Sequence, residues 1–356
     1  MATTYNLQQQ AFTISVLSNN AAGDKGDPSS IASQLKTNVS TLLNSSTFTN
    51  LIGNWGLVWG PAVWQNSGST VADNVLMAAQ NADTKDIVVA IAGTNPNSAY
   101  DRGTEDLGVG TMVEFDAATS SYISQGADDG ITNLNSLTDP TTNVSLVDWL
   151  NGLGATGGNL IFAGHSLGGA LAPTFALDLV HNATITPSNY SNVYVYPTAG
   201  PSPGNQAFSD LFAKTFPAVP GSSKQWDGWN QNVTNSFDAV PHGWTGLASL
   251  PSLYPPINNG QPLTCIQAMV TYMLDPALNG NVYANIPSVV FGGFFNETVH
   301  VPVHGVTCQW VAQALYQHIP AYFAEILPDL AGSLPVPTLP GDVCAGLDAW
   351  CVKHRG

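Results

Sequence analysis

One serine in this chain lies where its surroundings would activate it. Ser166 sits within Gly164-His165-Ser166-Leu167-Gly168, a G-x-S-x-G. The pentapeptide alone is a weak pattern. Its context gives it weight: the apolar run Leu160–Ala163 precedes it, and Leu167–Leu179, with Ala and Leu at helical spacing, follows. Strand, tight turn and helix are what a nucleophile elbow requires. Glycines two before and two after the serine let strand and helix approach. The helix start leaves N–H groups without carbonyl partners, and that of Leu167 is placed to hold an oxyanion. A glycine-rich loop with an incidental serine would not account for both flanking elements.

A nucleophilic serine needs a base, and the base an orienting acid. On this type of elbow the chain order is Ser, then acid, then His. Asp238 directly follows the expected strand Asn232–Phe237. Of its rivals, Asp210 lies in an expected helix after Asn205, and Asp227 precedes the apolar segment. The downstream histidines are His242, His300, His304, His318 and His354. His242 would have to fold straight back on Asp238. His300 and His304 flank a Val-Pro-Val, and His354 is in the tail. His318 follows the amphipathic stretch Val311–Tyr316 and leads, with His304 still open. A second oxyanion donor should follow an early central strand. Thr94, after Asp86–Ala92, offers its backbone N–H, with its hydroxyl as a further candidate. No cofactor is required. No metal site is expected, since Asp24-Lys25-Gly26-Asp27 is too short for a calcium loop.

These residues need a scaffold. Asp86–Ala92 is continuously apolar and β-branched, as suits a strand buried on both faces of a parallel sheet. Val193–Pro197 is a further strand, and Leu146–Leu153 a short helix. Strand and helix alternate, which predicts an α/β architecture with a mostly parallel sheet flanked by helices. The whole chain, 1–356, reads as one domain. Residues 1–80 are loose, with a helix near Ile31–Leu43, a Trp-rich segment at Asn54–Trp64 and a short helix at Val71–Asn81. Residues 99–140 read as a long loop. A Pro/Gly/aromatic insertion covers about 242–305, Trp310–Leu327 is a closing helix interrupted by Pro320, and the tail is 328–356.

Of 356 residues 44% are hydrophobic and only 9% charged, with 8 Lys+Arg against 24 Asp+Glu and a net charge of −16. Such a surface repels phosphate backbones and anionic bilayers, which argues against nucleic acid as a partner. Polarity carried by uncharged groups suits a secreted, extracellular protein. The first ten residues lack the basic and apolar stretches of a leader peptide, so a secreted form would have had its leader removed. Cys265, Cys308, Cys344 and Cys351 lack C-x-x-C spacing, which favours two disulfides over zinc. A Cys265–Cys308 staple and a Cys344–Cys351 loop are the expected pairs, the second pinning the tail.

Five stretches resemble, in order, the fungal-type (class 3) lipase family of the α/β-hydrolase superfamily. Ala92-Gly93-Thr94 is similar to that family's oxyanion strand end, and Asn159–Ala172 to its elbow. Thr198–Phe208 resembles the strand and turn that follow. Phe237–His242 resembles its D-x-V-P acid loop, and His318–Tyr322 its H-x-x-Y motif. The resemblance implies an α/β-hydrolase fold, a Ser166–His318–Asp238 triad and an oxyanion hole at Thr94 and Leu167. Asn95–Asp106 departs from the family's lid pattern, and the insertion parts Asp238 from His318. The activity implied is ester hydrolysis through an acyl-enzyme on Ser166, with triacylglycerols or other apolar esters as substrates. Short-chain, feruloyl and polyester substrates are the alternatives. A serine amidase or peptidase, or a non-catalytic binding module of the same fold, ranks behind them. A monomer making transient contact with lipid surfaces is expected.

Overall fold

The segments Ile87–Ile91 and Leu160–His165 are buried along their whole length, and they lie side by side at the middle of one sheet. In this computed structural model, residues 4–299 and 306–332 are described, with Trp350 and Lys353 of the tail. His300, His304, His354 and the expected Cys344–Cys351 loop therefore lie outside the described residues. The seven-stranded sheet has the order β1-β2-β3-β6-β7-β8-β9. Its strands are β1 (Trp55–Trp64), β2 (Asn74–Asn81), β3 (Ile87–Ile91), β6 (Leu160–His165), β7 (Val193–Thr198), β8 (Asn232–Asn235) and β9 (Ser288–Phe291). β1, β2 and β3 pair antiparallel, and every pair from β3 onward is parallel. β4 (Met112–Asp116) and β5 (Ser121–Ser124) form a separate hairpin.

Helices cover both faces. On one lie α1 (Leu7–Leu17), α2 (Pro28–Leu43), α3 (Ser46–Ile52) and α11 (Pro320–Ile326). On the other lie α4 (Gln125–Ser136), α5 (Leu146–Gly152), α6 (Leu167–His181) and α7 (Gln206–Thr215). Their starts are fixed by side chains that accept otherwise unpaired N–H groups. Asn6 and Gln9 form a capping box on α1, Asp27 caps α2 ahead of Pro28, and Ser145 caps α5. The start of the chain is stitched to segments far along it. Gln9 Nε2 donates to the Ile326 carbonyl (2.7 Å), Gln8 Nε2 to that of Asp227 (2.6 Å), and the Asp329 N–H to the Tyr5 hydroxyl (2.9 Å). No helix among the described residues is long and apolar enough to cross a membrane.

Several expectations are corrected. Val71–Asn81 is not a helix: its latter part is β2, buried between β1 and β3, and this tertiary pairing overrides the helical preference of Met77-Ala78-Ala79. The Trp-rich segment is β1. Within 99–140 stand a π-helical turn (Asp101–Glu105), the β4–β5 hairpin and α4, whose Ala127, Ile131 and Leu134 present one apolar face. Residues 242–305 do more than interrupt. They carry 3₁₀ turns, α8 (Thr264–Met269), a π-helical turn (Val270–Leu274) and α9 (Asp275–Ala277) around their own apolar cluster. They also supply β9, which extends the sheet beyond β8. The closing helix is two: α10 (Val306–His318) and α11, parted at Pro320. Neither described cysteine, Cys265 or Cys308, is a free thiol.

Candidate active site

β6 ends at His165, and the chain turns through Ser166 into α6. Ser166 has φ 63° and ψ −126°, a left-handed conformation that costs a serine on the order of 1–3 kcal/mol. The neighbours enforce it. A Cβ on Gly164 would land on the Gly168 carbonyl, and one on Gly168 would meet the Ile91 carbonyl and sit 2.8 Å from that of Ala92. Only hydrogen fits at either place, so β3, β6 and α6 close on one another. The Ser166 N–H donates to the Thr198 carbonyl of β7 at 3.0 Å, which fixes the turn to the next strand. The side chain is thereby held at the C-terminal edge of the parallel strands, above the start of α6.

His318, the last residue of α10, meets this serine from the other side. Its Nε2 lies 2.7 Å from Ser166 Oγ, and its Nδ1 lies 2.9 and 3.1 Å from the two Asp238 oxygens. A carboxylate only accepts, so Nδ1 carries the proton and Nε2 is free to accept the serine's. Asp238 is fully buried in the loop after β8. It accepts further hydrogen bonds from the Tyr322 hydroxyl (2.9 Å) and the Val240 N–H (3.0 Å). Tyr322 in turn accepts the Asn235 N–H (2.9 Å). Burial, and then the negative charge of Asp238, push the Tyr322 hydroxyl well above its ordinary ionisation, so it stays a donor. Asn235 Nδ2 donates to the Gln317 carbonyl and side chain, tying β8 to the turn of α10 before His318.

The rivals are engaged elsewhere. Asp210 accepts from Gln206, Asp227 from Ser223 and the Lys224 N–H, and His242 pairs with Ser249. Thr94 follows β3, and Gly93 beside it packs against the turn: a Cβ there would lie 2.6 Å from the His165 carbonyl. The Thr94 hydroxyl donates to Asp106 at 3.0 and 3.2 Å. Asp106 is a site residue that the sequence did not single out. Burial lifts its carboxyl to about 6, against the Thr94 hydrogen bond and the nearby charge of His318.

Beside Ser166 opens a cavity of about 260 Å³ with walls mostly of carbon. Leu171 and Leu167 of α6 form one wall, and Trp244, Leu247, Leu250 and Leu274 of the insertion another. The apolar stretch Leu247–Ile257 of the insertion thus reaches the cavity. Later in the insertion, Val290 and Phe294 face outward, 50% and 62% exposed.

Residues 89–245 match the model of the lipase (class 3) family. This segment belongs to the class 3 lipase family. It holds the elbow, Thr94, Asp106 and Asp238, while His318 comes from beyond it. Class 3 lipases are hydrolases that act on esters. Among solved structures, the crystal structure of M37 lipase superposes with a TM-score of 0.73 at 23% identity, covering 98% of this chain and 100% of that one. The shared fold is the α/β-hydrolase fold. Rhizomucor miehei lipase in a propeptide complex matches at 18% identity and TM-score 0.43, covering 67% of this chain and 62% of its own. The lipase of Rhizopus microsporus var. chinensis matches at 16% and 0.44, covering 68% and 71%. No curated protein matches the chain.

Proposed function

We propose that this protein is a secreted serine carboxylester hydrolase, a lipase acting on triacylglycerols or other apolar esters. The observation that carries the reading is the continuous hydrogen-bonded array from Ser166 through His318 to Asp238 at the foot of an apolar cavity. Ser166 Oγ attacks the ester carbonyl as its proton passes to His318 Nε2. Asp238 keeps the proton on Nδ1 and offsets the charge of the imidazolium. The oxyanion is held by the backbone N–H groups of Leu167 and Thr94, each donor worth about 3 kcal/mol. The Thr94 hydroxyl proton is already directed to Asp106, so the N–H is the group left for this role. Collapse of the tetrahedral intermediate expels the alcohol, which takes the proton from Nε2. Water, deprotonated by the same nitrogen, then attacks the acyl-enzyme and releases the acid. None of these steps calls for a cofactor. We propose that the protein works as a monomer and touches lipid surfaces transiently.

A short-chain esterase is the second reading. The cavity, at about 260 Å³, falls just below the usual range of small-molecule pockets, about 300–1,000 Å³. Hydrolysis of p-nitrophenyl esters from acetate to palmitate, with emulsified triglyceride, separates the two. Activity rising with chain length and on emulsions supports the lipase; activity confined to short soluble esters supports the esterase. Ser166→Ala should abolish turnover on every substrate while the fold persists. Retained turnover would overturn the nucleophile assignment.

A further inference from the structure

His165, the residue before the nucleophile, is buried with both ring nitrogens engaged. Nε2 lies 2.8 Å from the backbone carbonyl of His318, and Nδ1 lies 2.8 Å from the Thr198 hydroxyl. Chemistry fixes the direction of both bonds. A carbonyl only accepts, so Nε2 carries the proton. Burial, and then the nearby charge of His318, hold the ring well below its ordinary ionisation. Nδ1 is therefore bare and accepts from Thr198. One neutral tautomer links β7, through β6, to the main chain of His318.

That carbonyl stands where the helix is interrupted. α10 stops at His318, and Pro320 opens α11, so intrahelical donors run out here. The His165 ring also packs against that of His318, with centroids 4.9 Å apart, and meets Tyr322 edge-on at 5.0 Å. Asp238 thus grips the Nδ1 end of the His318 ring, and His165 grips the backbone from which that ring hangs.

We infer that His165 is a positioning residue for the base: its Nε2–H holds the His318 main chain where the His318 ring reaches Ser166. The inference rests on the proposed roles of Ser166 and His318. Because His165 stays neutral, it keeps the same hydrogen bonds while His318 gains and loses a proton. The base then cycles without its anchor rearranging.

The test compares three substitutions in the full chain. His165→Phe keeps an aromatic ring and removes the donor. His165→Gln keeps an N–H that can reach the carbonyl. Thr198→Val leaves the elbow backbone intact but removes the donor to Nδ1, so the ring whose Nε2–H holds the His318 carbonyl is less firmly oriented, and this variant stands in if His165→Phe does not fold. An organophosphate first labels Ser166 in the unsubstituted protein. His165→Phe is expected to lower kcat by about 10²-fold with KM unchanged, the cost of a small displacement of the base. His165→Gln should restore most of that loss, and Thr198→Val should show a kcat-only loss of smaller size. The downfield proton resonance of His318 Nδ1–H should move in His165→Phe and stay in place in His165→Gln. Wild-type kcat in His165→Phe or Thr198→Val, or a loss confined to KM, would overturn the role of His165 alone. Failure to label Ser166 would overturn the nucleophile assignment, and the role of His165 with it.

Discussion

Ser166 and His318 are hydrogen-bonded to each other, yet they are held in opposite ways. Around Ser166 the restraint is backbone on backbone: Gly164 against Gly168, Gly168 against β3, the Ser166 N–H on β7. Around His318 the restraint is side chains: Asp238, Tyr322, Asn235, Gln317 and His165. Backbone contact tolerates no added atom. A net of side-chain hydrogen bonds tolerates changes of shape but answers to each donor and acceptor. The nucleophile is thus built into the fold, and the base is hung on it.

The two sides should therefore fail differently. The largest effect is expected from Asp238→Asn, where the amide favours the wrong tautomer of His318. kcat should fall about 10⁴-fold, while the urea midpoint stays close to that of the unsubstituted protein. A large fall in that midpoint would show the base side to be as much a part of the fold as the elbow. Next is Gly168→Ala, whose methyl group meets the carbonyls of Ile91, the last residue of β3, and Ala92. It should destabilise the chain by about 1–3 kcal/mol, read as a lower urea midpoint; an unchanged midpoint would break the comparison.

The smallest effect concerns a third kind of restraint, beside Thr94. The Ser98 hydroxyl lies 2.6 Å from Asp73 Oδ1 and 2.9 Å from Asp101 Oδ1, and Asn74 and Asn133 bind Glu105. Burial lifts Asp101 to about 8 and Glu105 to about 9. Their ordinary values are 3.8 and 4.5. Between these limits the native chain keeps protons that the unfolded chain has released. Unfolding then sheds protons, so the stabilisation from these two groups is complete at low pH and declines as pH rises toward 8 and 9. The urea midpoint should fall from about pH 5 to about pH 9. Asp101→Asn with Glu105→Gln should flatten the slope, and an equal slope in the double variant would rule these groups out as its source.

The same contrast explains what could be read from the sequence. The elbow was legible because its demands are local: two glycines, a strand before and a helix after. Asp238 and His318 could be ranked, but their juxtaposition depends on β8 and α10 meeting across 80 residues. Asp106 was not legible, since its partner Thr94 is brought to it by a π-helical turn in a Gly/Asp-rich stretch with no clear periodicity. Nor was β2, whose Met-Ala-Ala run has helical propensity and becomes strand only because β1 and β3 flank it. β9 was hidden for a similar reason. Four residues among prolines and glycines become a strand only when β8 offers an open edge.

The stitching of α1 to α11 has a consequence for how the chain is made. Gln9 and the Ile326 carbonyl that it binds stand 317 residues apart. At roughly 5–20 residues per second, a ribosome needs on the order of 15–60 s to travel between them. For that interval Phe12, which ends packed against Phe323, has emerged while its partner does not yet exist. The elbow, with β3, β6 and α6, is synthesised well before α10. Ser166 can be in its turn long before His318 leaves the ribosome. The nascent chain thus carries a nucleophile without a base and an apolar helix without its cover until α10 and α11 arrive. That is the window in which a holding chaperone would find something to bind.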